Sequence, residues 1–301
     1  MILCCGEALI DMLPRETGAG KSAFAPHAGG SVFNTAVALG RLDAPVQFFS
    51  GLSSDLFGDI LRAQLAASNV DSSPAATADR PTTLAFVTLP DGHASYAFYD
   101  ENTAGRMLSE DDLPQTNVDA LFFGGISLVV EPCGAAYEAM MLREAPSRLT
   151  MIDPNIRPSF ITDEAAYRAR LTRMMGAADI IKTSDEDLEW ITGNTDAKAL
   201  LASTGAQVIL LTRGGEGVSI VTAKGTNDVA AVKAEVVDTV GAGDTFSAGF
   251  LAQLHKSGHL TKSAIKQAGE AELCAAAAFG AKVAAITVSR AGANPPWASE
   301  L

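Results

Sequence analysis

Asp238-Thr239-Val240-Gly241-Ala242-Gly243-Asp244-Thr245-Phe246 joins a polar turn to an apolar helical pattern. Gly241, Ala242 and Gly243 carry so little side chain that the backbone there can approach a ligand closely. Downstream, Phe246, Phe250, Leu251 and Leu254 recur on one helix face. The small-residue loop therefore sits at a helix N-terminus, where free N–H groups and the positive dipole end favour an anion such as phosphate. Asp244, at the same place, can take a proton from an attacking hydroxyl. Alone before an apolar helix, it also reads as an N-cap. Yet Gly-Ala-Gly is a costly way merely to start a helix, because glycine loses the most backbone entropy on folding. Asp238 adds a second carboxylate at the loop's other end.

At 301 residues the chain can bury a large core, either as one α/β unit or as a core with an added lobe. The formal charge of −13 argues against nucleic acid or an anionic membrane as partner. It leaves room for a nucleotide, which a pocket of backbone N–H groups can hold in an acidic protein. Cys4, Cys5, Cys133 and Cys274 form no C-x-x-C pair. They read as buried thiols of a reducing compartment, with no zinc site. Met1 to Ile10 lacks a basic flank and a cleavage site. No apolar run reads as long enough to span a bilayer. The expectation is a soluble, cytoplasmic protein.

Working outward, Ile2 to Cys5 reads as a buried strand leading to Asp11, at the strand edge where ligands of open α/β sheets gather. Gly18-Ala19-Gly20-Lys21-Ser22 imitates a phosphate loop, but the first glycine would fall at Arg15. It reads as a turn. Gly29-Gly30-Ser31 opens a helix with Val32, Phe33, Ala36, Val37 and Leu39 on its apolar side. The glycine pair is either a tight turn or a close approach to substrate, with Asn34 one turn in. A strand over 46–50 and a helix over 55–68 set a parallel rhythm. Residues 82–89 and 94–99 break it, because Pro90-Asp91-Gly92-His93 signals a hairpin. A small β-lobe follows, with 14–28 as its other strand and His27 and His93 as lobe residues rather than ligands.

The rhythm then returns, with strands over 121–124, 149–152, 179–182 and 208–212 and helices over 131–145 and 184–192. Ser184 and Asp187 resemble a capping box with Asp in place of Glu. Two weaker strands and helices over 245–256 and 261–280 complete the chain. No boundary marks a second domain, so 1–301 reads as one unit.

Asp238 to Phe250 closely resembles the C-terminal signature of the ribokinase-like (PfkB) sugar kinases, and Gly29 to Ala36 resembles their N-terminal glycine-pair motif. Order, spacing and length match over essentially the whole chain. Thr83 to Val87 with Phe98 to Leu108 looks most like bacterial fructokinases. The resemblance implies a three-layer α/β/α fold with a mostly parallel central sheet. A small β-lid, inserted from the N-terminal half, would be formed by about 13–30 and 82–103.

It further implies transfer of the ATP γ-phosphoryl group to a sugar hydroxyl, with Asp244 as base and Gly241, Ala242 and Gly243 as anion hole. Asp11, Gly29, Gly30 and Asn34 would hold sugar hydroxyls, with Phe98, Arg106 and Arg157 beside them. Thr212, Arg213, Gly214, Gly215 and Gly217 match the loop against ATP, which Gly241 and Gly243 would also touch. Gly269 to Gly280 either lines the adenine pocket or serves helix packing. Relatives often carry Asn-x-x-Glu near Mg²⁺. The matching Ser184 and Asp187 would hold a metal-bound water or simply cap a helix. Asp153, Asn155 and Arg157 match the family's Asp-x-Asn-x-Arg stretch lining the cleft. Arg157 there contacts substrate or phosphate, or forms a structural ion pair. Asp238 and the Val240 carbonyl resemble a monovalent-cation site, K⁺ being the ion, or Asp238 caps a turn. Fructose is the expected acceptor. A 2-keto-3-deoxygluconate kinase is the rival, since Arg106 and Arg157 offer its acid a cationic clamp. A catalytically silent sugar or nucleotide sensor is the alternative of another class. The partners expected are the sugar, ATP and a second copy through the lid.

Overall fold

The computed structural model describes residues 1–88 and 95–301. Strand β1 (Ile2–Cys5) is followed by β2 (Leu9–Glu16), β3 (Ser22–Gly29), α1 (Ser31–Arg41), β4 (Val46–Phe49) and β5 (Gly51–Ser53). Next come α2 (Leu56–Ala67), β6 (Ala76–Ala78), β7 (Leu84–Thr88), β8 (Ser95–Tyr99), β9 (Ala120–Gly124), α3 (Cys133–Glu144) and β10 (Leu149–Asp153). Then follow α4 (Glu164–Ala177), β11 (Ile180–Ser184), α5 (Asp185–Thr192), α6 (Ala197–Thr204) and β12 (Val208–Thr212). The chain closes with β13 (Val218–Thr222), β14 (Gly225–Val229), α7 (Ala242–Lys256), α8 (Lys262–Ile265) and α9 (Glu270–Val288).

The main sheet has eight strands in the order β14-β13-β12-β11-β10-β9-β1-β4. From β4 to β12 the neighbours pair in parallel, while β13 and β14 add antiparallel strands at one edge. Alternation along β1 divides the core. Ile2 and Cys4 pack with α1, α2, α7 and α9, while Leu3 and Cys5 pack with α3, α4, α5 and α6. Helices therefore cover both faces, as a parallel sheet requires. This is the three-layer α/β/α arrangement.

A second sheet has the order β3-β2-β7-β8. It starts at Leu9, four residues before the expected lid. Its β2–β3 turn contains the false phosphate loop, with Gly20 at φ 71° and Thr17 N–H donating to Lys21. The expected Pro90–His93 turn lies outside the described residues. Because β2 pairs with β7 in parallel, Asp11 is placed beside Ala85 rather than at the tip of β1.

Two helix boundaries differ from expectation. Helix α7 begins at Ala242, three residues early, because Gly241 caps it in the left-handed conformation at φ 77°. The expected 261–280 helix is α8 plus α9, interrupted before Gly269, and α9 continues to Val288. By length and composition α9 could cross a bilayer, contrary to the reading that no run was long enough. Its apolar residues are spread among Glu270, Glu272 and Lys282, which hid the length. Here α9 packs on α7, with Gly249 against Gly280. A Cβ on Gly249 would lie 2.7 Å from the Gly280 Cα, which is backbone and cannot yield cheaply. Gly249→Ala is expected to destabilise the fold by about 1–3 kcal/mol through overpacking, read as a lower urea midpoint with an unchanged slope.

Candidate active site

The first turn of α7 meets the first turn of α1 at the carboxyl-terminal edge of the main sheet. Asp244 lies within the helix, not at its cap, and its side chain is buried. Ser31 Oγ donates to Asp244 Oδ1 at 2.8 Å and Asn34 Nδ2 to Oδ2 at 2.9 Å. Asn155, in the left-handed region at φ 47°, donates from Nδ2 to Oδ1 at 3.3 Å and to Ser31 Oγ at 2.6 Å. Burial raises the Asp244 carboxyl above its ordinary range, and the Asn34 and Ser31 hydrogen bonds oppose that shift. Desolvation outweighs these bonds and makes the carboxylate a stronger proton acceptor than an exposed one.

A cavity of about 320 Å³ opens in front of this carboxylate. Asp11, Gly30, Asn34, Phe98 and Arg157 line it, as expected from the sequence. Gly29 stands behind Asp11, where any Cβ would overlap the Asp11 carboxylate. Burial and the neighbouring Asp244 charge push Asp11 up to about 6. Gly30, at φ 111°, presses on the Glu7 carbonyl, 2.9 Å from where a Cβ would stand. Glu7 Oε1 accepts the Ser31 N–H at 2.8 Å and Oε2 the Ser127 N–H at 3.4 Å, so one buried carboxylate fixes two loops of the cleft. Arg106 is turned elsewhere. It pairs with Asp100 at 3.3 Å and donates to the Glu131 carbonyl.

A second cavity, of about 430 Å³, lies across the α7 N-terminus. Thr212, Gly214, Gly215 and Gly217 line one side, and Phe246, Ala281, Ala284, Ala285 and Val288 form an apolar wall. Glycines on one side and small apolar side chains on the other suit a flat base and its phosphates. Arg213 instead bonds Ser219 at 2.5 Å and pairs with Asp228 at 3.3 Å, drawn away by the β13–β14 hairpin. Gly280 is spent on packing against Phe246, so the wall begins one residue beyond the expected Gly269–Gly280 segment. The two cavities share Thr239, Ala242 and Gly243. Gly241 faces the first, where its missing side chain leaves room for Ala293.

Among the described residues, no group of three or more His, Cys, Asp or Glu side chains is placed to hold a metal ion. Asp187 is directed at backbone: its Oδ1 accepts the Ile156 N–H at 3.1 Å, and its own N–H donates to Ser184 Oγ at 3.0 Å. Ser184 therefore caps α5, and Asp187 Oδ1 latches the Asn155–Arg157 segment. Asp238 accepts Val240 N–H at 3.0 Å and Gly292 N–H at 2.9 Å, the geometry of a turn cap. Asn155 and Arg157 reach the first cavity, while Asp153 is fully buried against Lys182 at 2.9 Å.

Sequence reasoning passed over Ser31, Glu7, Tyr96 and Lys182, all of which line the first cavity. Ser31 follows the glycine pair directly. Lys182 carried a signal too, as a lone charge in the apolar run Ile180-Ile181-Lys182.

A hydrogen-bonded carboxylate on one side, a nucleotide-shaped slot on the other and a small-residue helix N-terminus between them define a phosphotransferase acting on an alcohol. The chain belongs to the pfkB family of carbohydrate kinases, whose model matches residues 1–300. It is 53% identical to a fructokinase of Rhizobium leguminosarum bv. trifolii, covering 91% of this chain and 85% of the relative. It is 32% identical to the probable fructokinase-7 of Arabidopsis thaliana, covering 99% and 90%. The crystal structure of a fructokinase from Xylella fastidiosa with bound ATP superposes with a TM-score of 0.90 at 29% identity, covering 97% and 93%.

The raised Asp11 has a consequence for stability. Its folded value, about 6, lies above the unfolded one, so the folded state binds its proton more tightly. The penalty for ionising Asp11 is absent at low pH and fully present above about pH 6. Asp11→Asn is expected to stabilise the protein at pH 7 by roughly 1–2 kcal/mol, discounted for partial exposure, with the gain vanishing near pH 4. Denaturant titrations at the two pH values check it.

Proposed function

We propose that this kinase phosphorylates fructose with ATP. The observation that carries the reading is the junction of the two cavities at Thr239, Ala242 and Gly243, with the Asp244 carboxylate on the sugar side. Asp244 takes the proton of the attacking hydroxyl. The N–H groups of Gly241, Ala242 and Gly243 stabilise charge on the phosphoryl group in flight, which is most of what phosphoryl transfer requires. Asp11 and Asn34 orient the acceptor's other hydroxyls, and Phe98 with Tyr96 stacked on it covers its apolar face. Similarity to the Rhizobium fructokinase supports the choice of sugar.

The charge pattern favours a neutral acceptor over a sugar acid. Asp11, Glu7 and Asp244 line the cleft, and Arg106, half of the cationic clamp an acid would need, is engaged by Asp100. The second cavity fits ATP by its glycines and small apolar wall. Mg²⁺ accompanies the nucleotide, neutralising its phosphates and keeping several waters, so it needs few protein carboxylates. K⁺ is the ion proposed for the Asp238–Val240 turn.

A coupled ADP-release assay over fructose, 2-keto-3-deoxygluconate, ribose and adenosine tests the acceptor. Turnover with fructose is expected, and turnover with the keto acid alone would overturn the reading. In Asp244→Asn, kcat is expected to fall roughly 1,000-fold or more while fructose still binds, because only the transition state needs the base. A wild-type protein that binds fructose without any turnover would be the sensor.

The lid also has an outer face. Phe24, Phe86 and Tyr99 form an edge-to-face row there, with centroids 5.0 and 5.4 Å apart. Phe24 is 44% and Tyr99 63% exposed. We take this row to be the seam of a homodimer through the lid. Light scattering is expected to give a dimer for the wild type and a monomer for Phe24→Asp combined with Tyr99→Asp. A monomeric wild type would rule the seam out.

A further inference from the structure

Lys182 stands in the middle of β11, buried to 5% exposure, and lines the sugar-side cavity. Its ammonium pairs with Asp153 at 2.9 Å, and Asp153 has no exposure at all. A Cβ built on Gly243 would lie 3.0 Å from Lys182 Nζ. The ammonium thus sits directly under the loop residue that both cavities share. It has three N–H donors, and one carboxylate cannot use them all. A structural pair would more naturally be sealed away from the cleft, since leaving buried donors unmatched is costly.

We infer that Lys182 is a catalytic cation of the transfer step, its ammonium countering charge on the phosphoryl group, and that Asp153 is its positioning residue. The inference rests on the kinase reading above and deepens it. The acceptor hydroxyl oxygen bonds to the γ-phosphorus, and the bond from that phosphorus to the β,γ-bridging oxygen breaks. That electron pair leaves on ADP, and the hydroxyl proton goes to Asp244. Lys182 exchanges no proton. Its fixed charge complements the equatorial oxygens from beside the loop's N–H groups, next to Gly243. In a site closed to water such a charge counts for far more than in solution.

The groups facing the ammonium support its ionisation. Burial pulls Lys182 towards neutrality, and Asp153, Asp187 and Asp244 together more than offset this, holding it above its ordinary value. A side chain at position 243 would crowd the ammonium, its Cβ standing 3.0 Å from Nζ.

The experiment compares four variants with the wild type, using fructose and Mg·ATP. Lys182→Met is expected to lower kcat roughly 100-fold with both KM values within about threefold, the signature of an interaction made only in the transition state. Lys182→Arg is expected to retain more activity than Lys182→Met. Asp153→Asn is expected to lower kcat less and to bring in an alkaline loss of activity at lower pH than in the wild type, because the ammonium loses its main support. The double variant Lys182→Met/Asp153→Asn removes both charges, which keeps the fold free of an orphaned carboxylate. It is expected to stay folded by circular dichroism and as slow as Lys182→Met. Recovery of wild-type kcat in the double variant would overturn the inference, for Lys182 would then only neutralise Asp153. Unchanged kcat in folded Lys182→Met would overturn it equally. Absence of fructose phosphorylation in the wild type would instead sink the parent reading.

Discussion

Everything at the catalytic edge depends on a buried carboxylate being hydrogen-bonded well enough to stay. Asp244 is taken out of water, which costs several kcal/mol for an unpartnered carboxylate. Donors from Ser31, Asn34 and Asn155 offset that cost. These residues come from one helix, α1, and the loop after β10, so the hydrogen bonds also tie distant chain segments together. Two glycines make the convergence sterically feasible. Gly30 at φ 111° lets α1 start against Glu7, and Gly241 at φ 77° lets α7 start against Ala293. Side-chain-bearing residues strain in that region and would pull the two helix ends apart.

The same edge concentrates ionisable groups that burial shifts upward: Glu7, Asp11, Asp153, Asp187 and Asp244. Each lowers stability relative to an apolar side chain of the same shape. Each also sits where a field can be aimed, because low dielectric strengthens both penalty and interaction. Lys182 is a counterweight, with Arg157, and its pairing with Asp153 holds a positive charge beside these carboxylates. Small residues do the corresponding work on the nucleotide side. Gly249 and Gly280 bring α7 and α9 into close contact, which sets Ala281, Ala284 and Ala285 beside the loop that contains Gly243. The packing glycine and the pocket wall are consecutive on one helix, so of the two readings of Gly269–Gly280 packing is the one seen, and the wall starts at Ala281.

Much of the architecture was legible in residue patterns. Unbroken apolar strands alternating with amphipathic helices announced a parallel sheet covered on both faces, and the break after Thr82 announced the second sheet. The family resemblance carried by the glycine pair and the Gly-Ala-Gly loop implied a shared site for Asp11, Gly30, Asn34 and Asp244, and all four line one cavity. What failed was side-chain direction. Arg106 and Arg213 stand close to expected positions in the chain but turn to Asp100 and Asp228. Long or short, a polar side chain takes the nearest partner, and that partner belongs to another strand or loop.

Local sequence determined where backbones approach ligands and where helices begin, because glycine, small residues and apolar periodicity act within a few residues of themselves. Tertiary structure alone decided which charges are buried, who pairs with them and how far their proton affinities move. Desolvation is a property of the whole surrounding volume, and no run of neighbours along the chain encodes it. Asp244 shows both halves. Its place beside a phosphate-sized loop was written in nine consecutive residues. Its strength as a proton acceptor came from burial in the cleft, against which the Ser31 and Asn34 hydrogen bonds pull, holding the carboxylate in place.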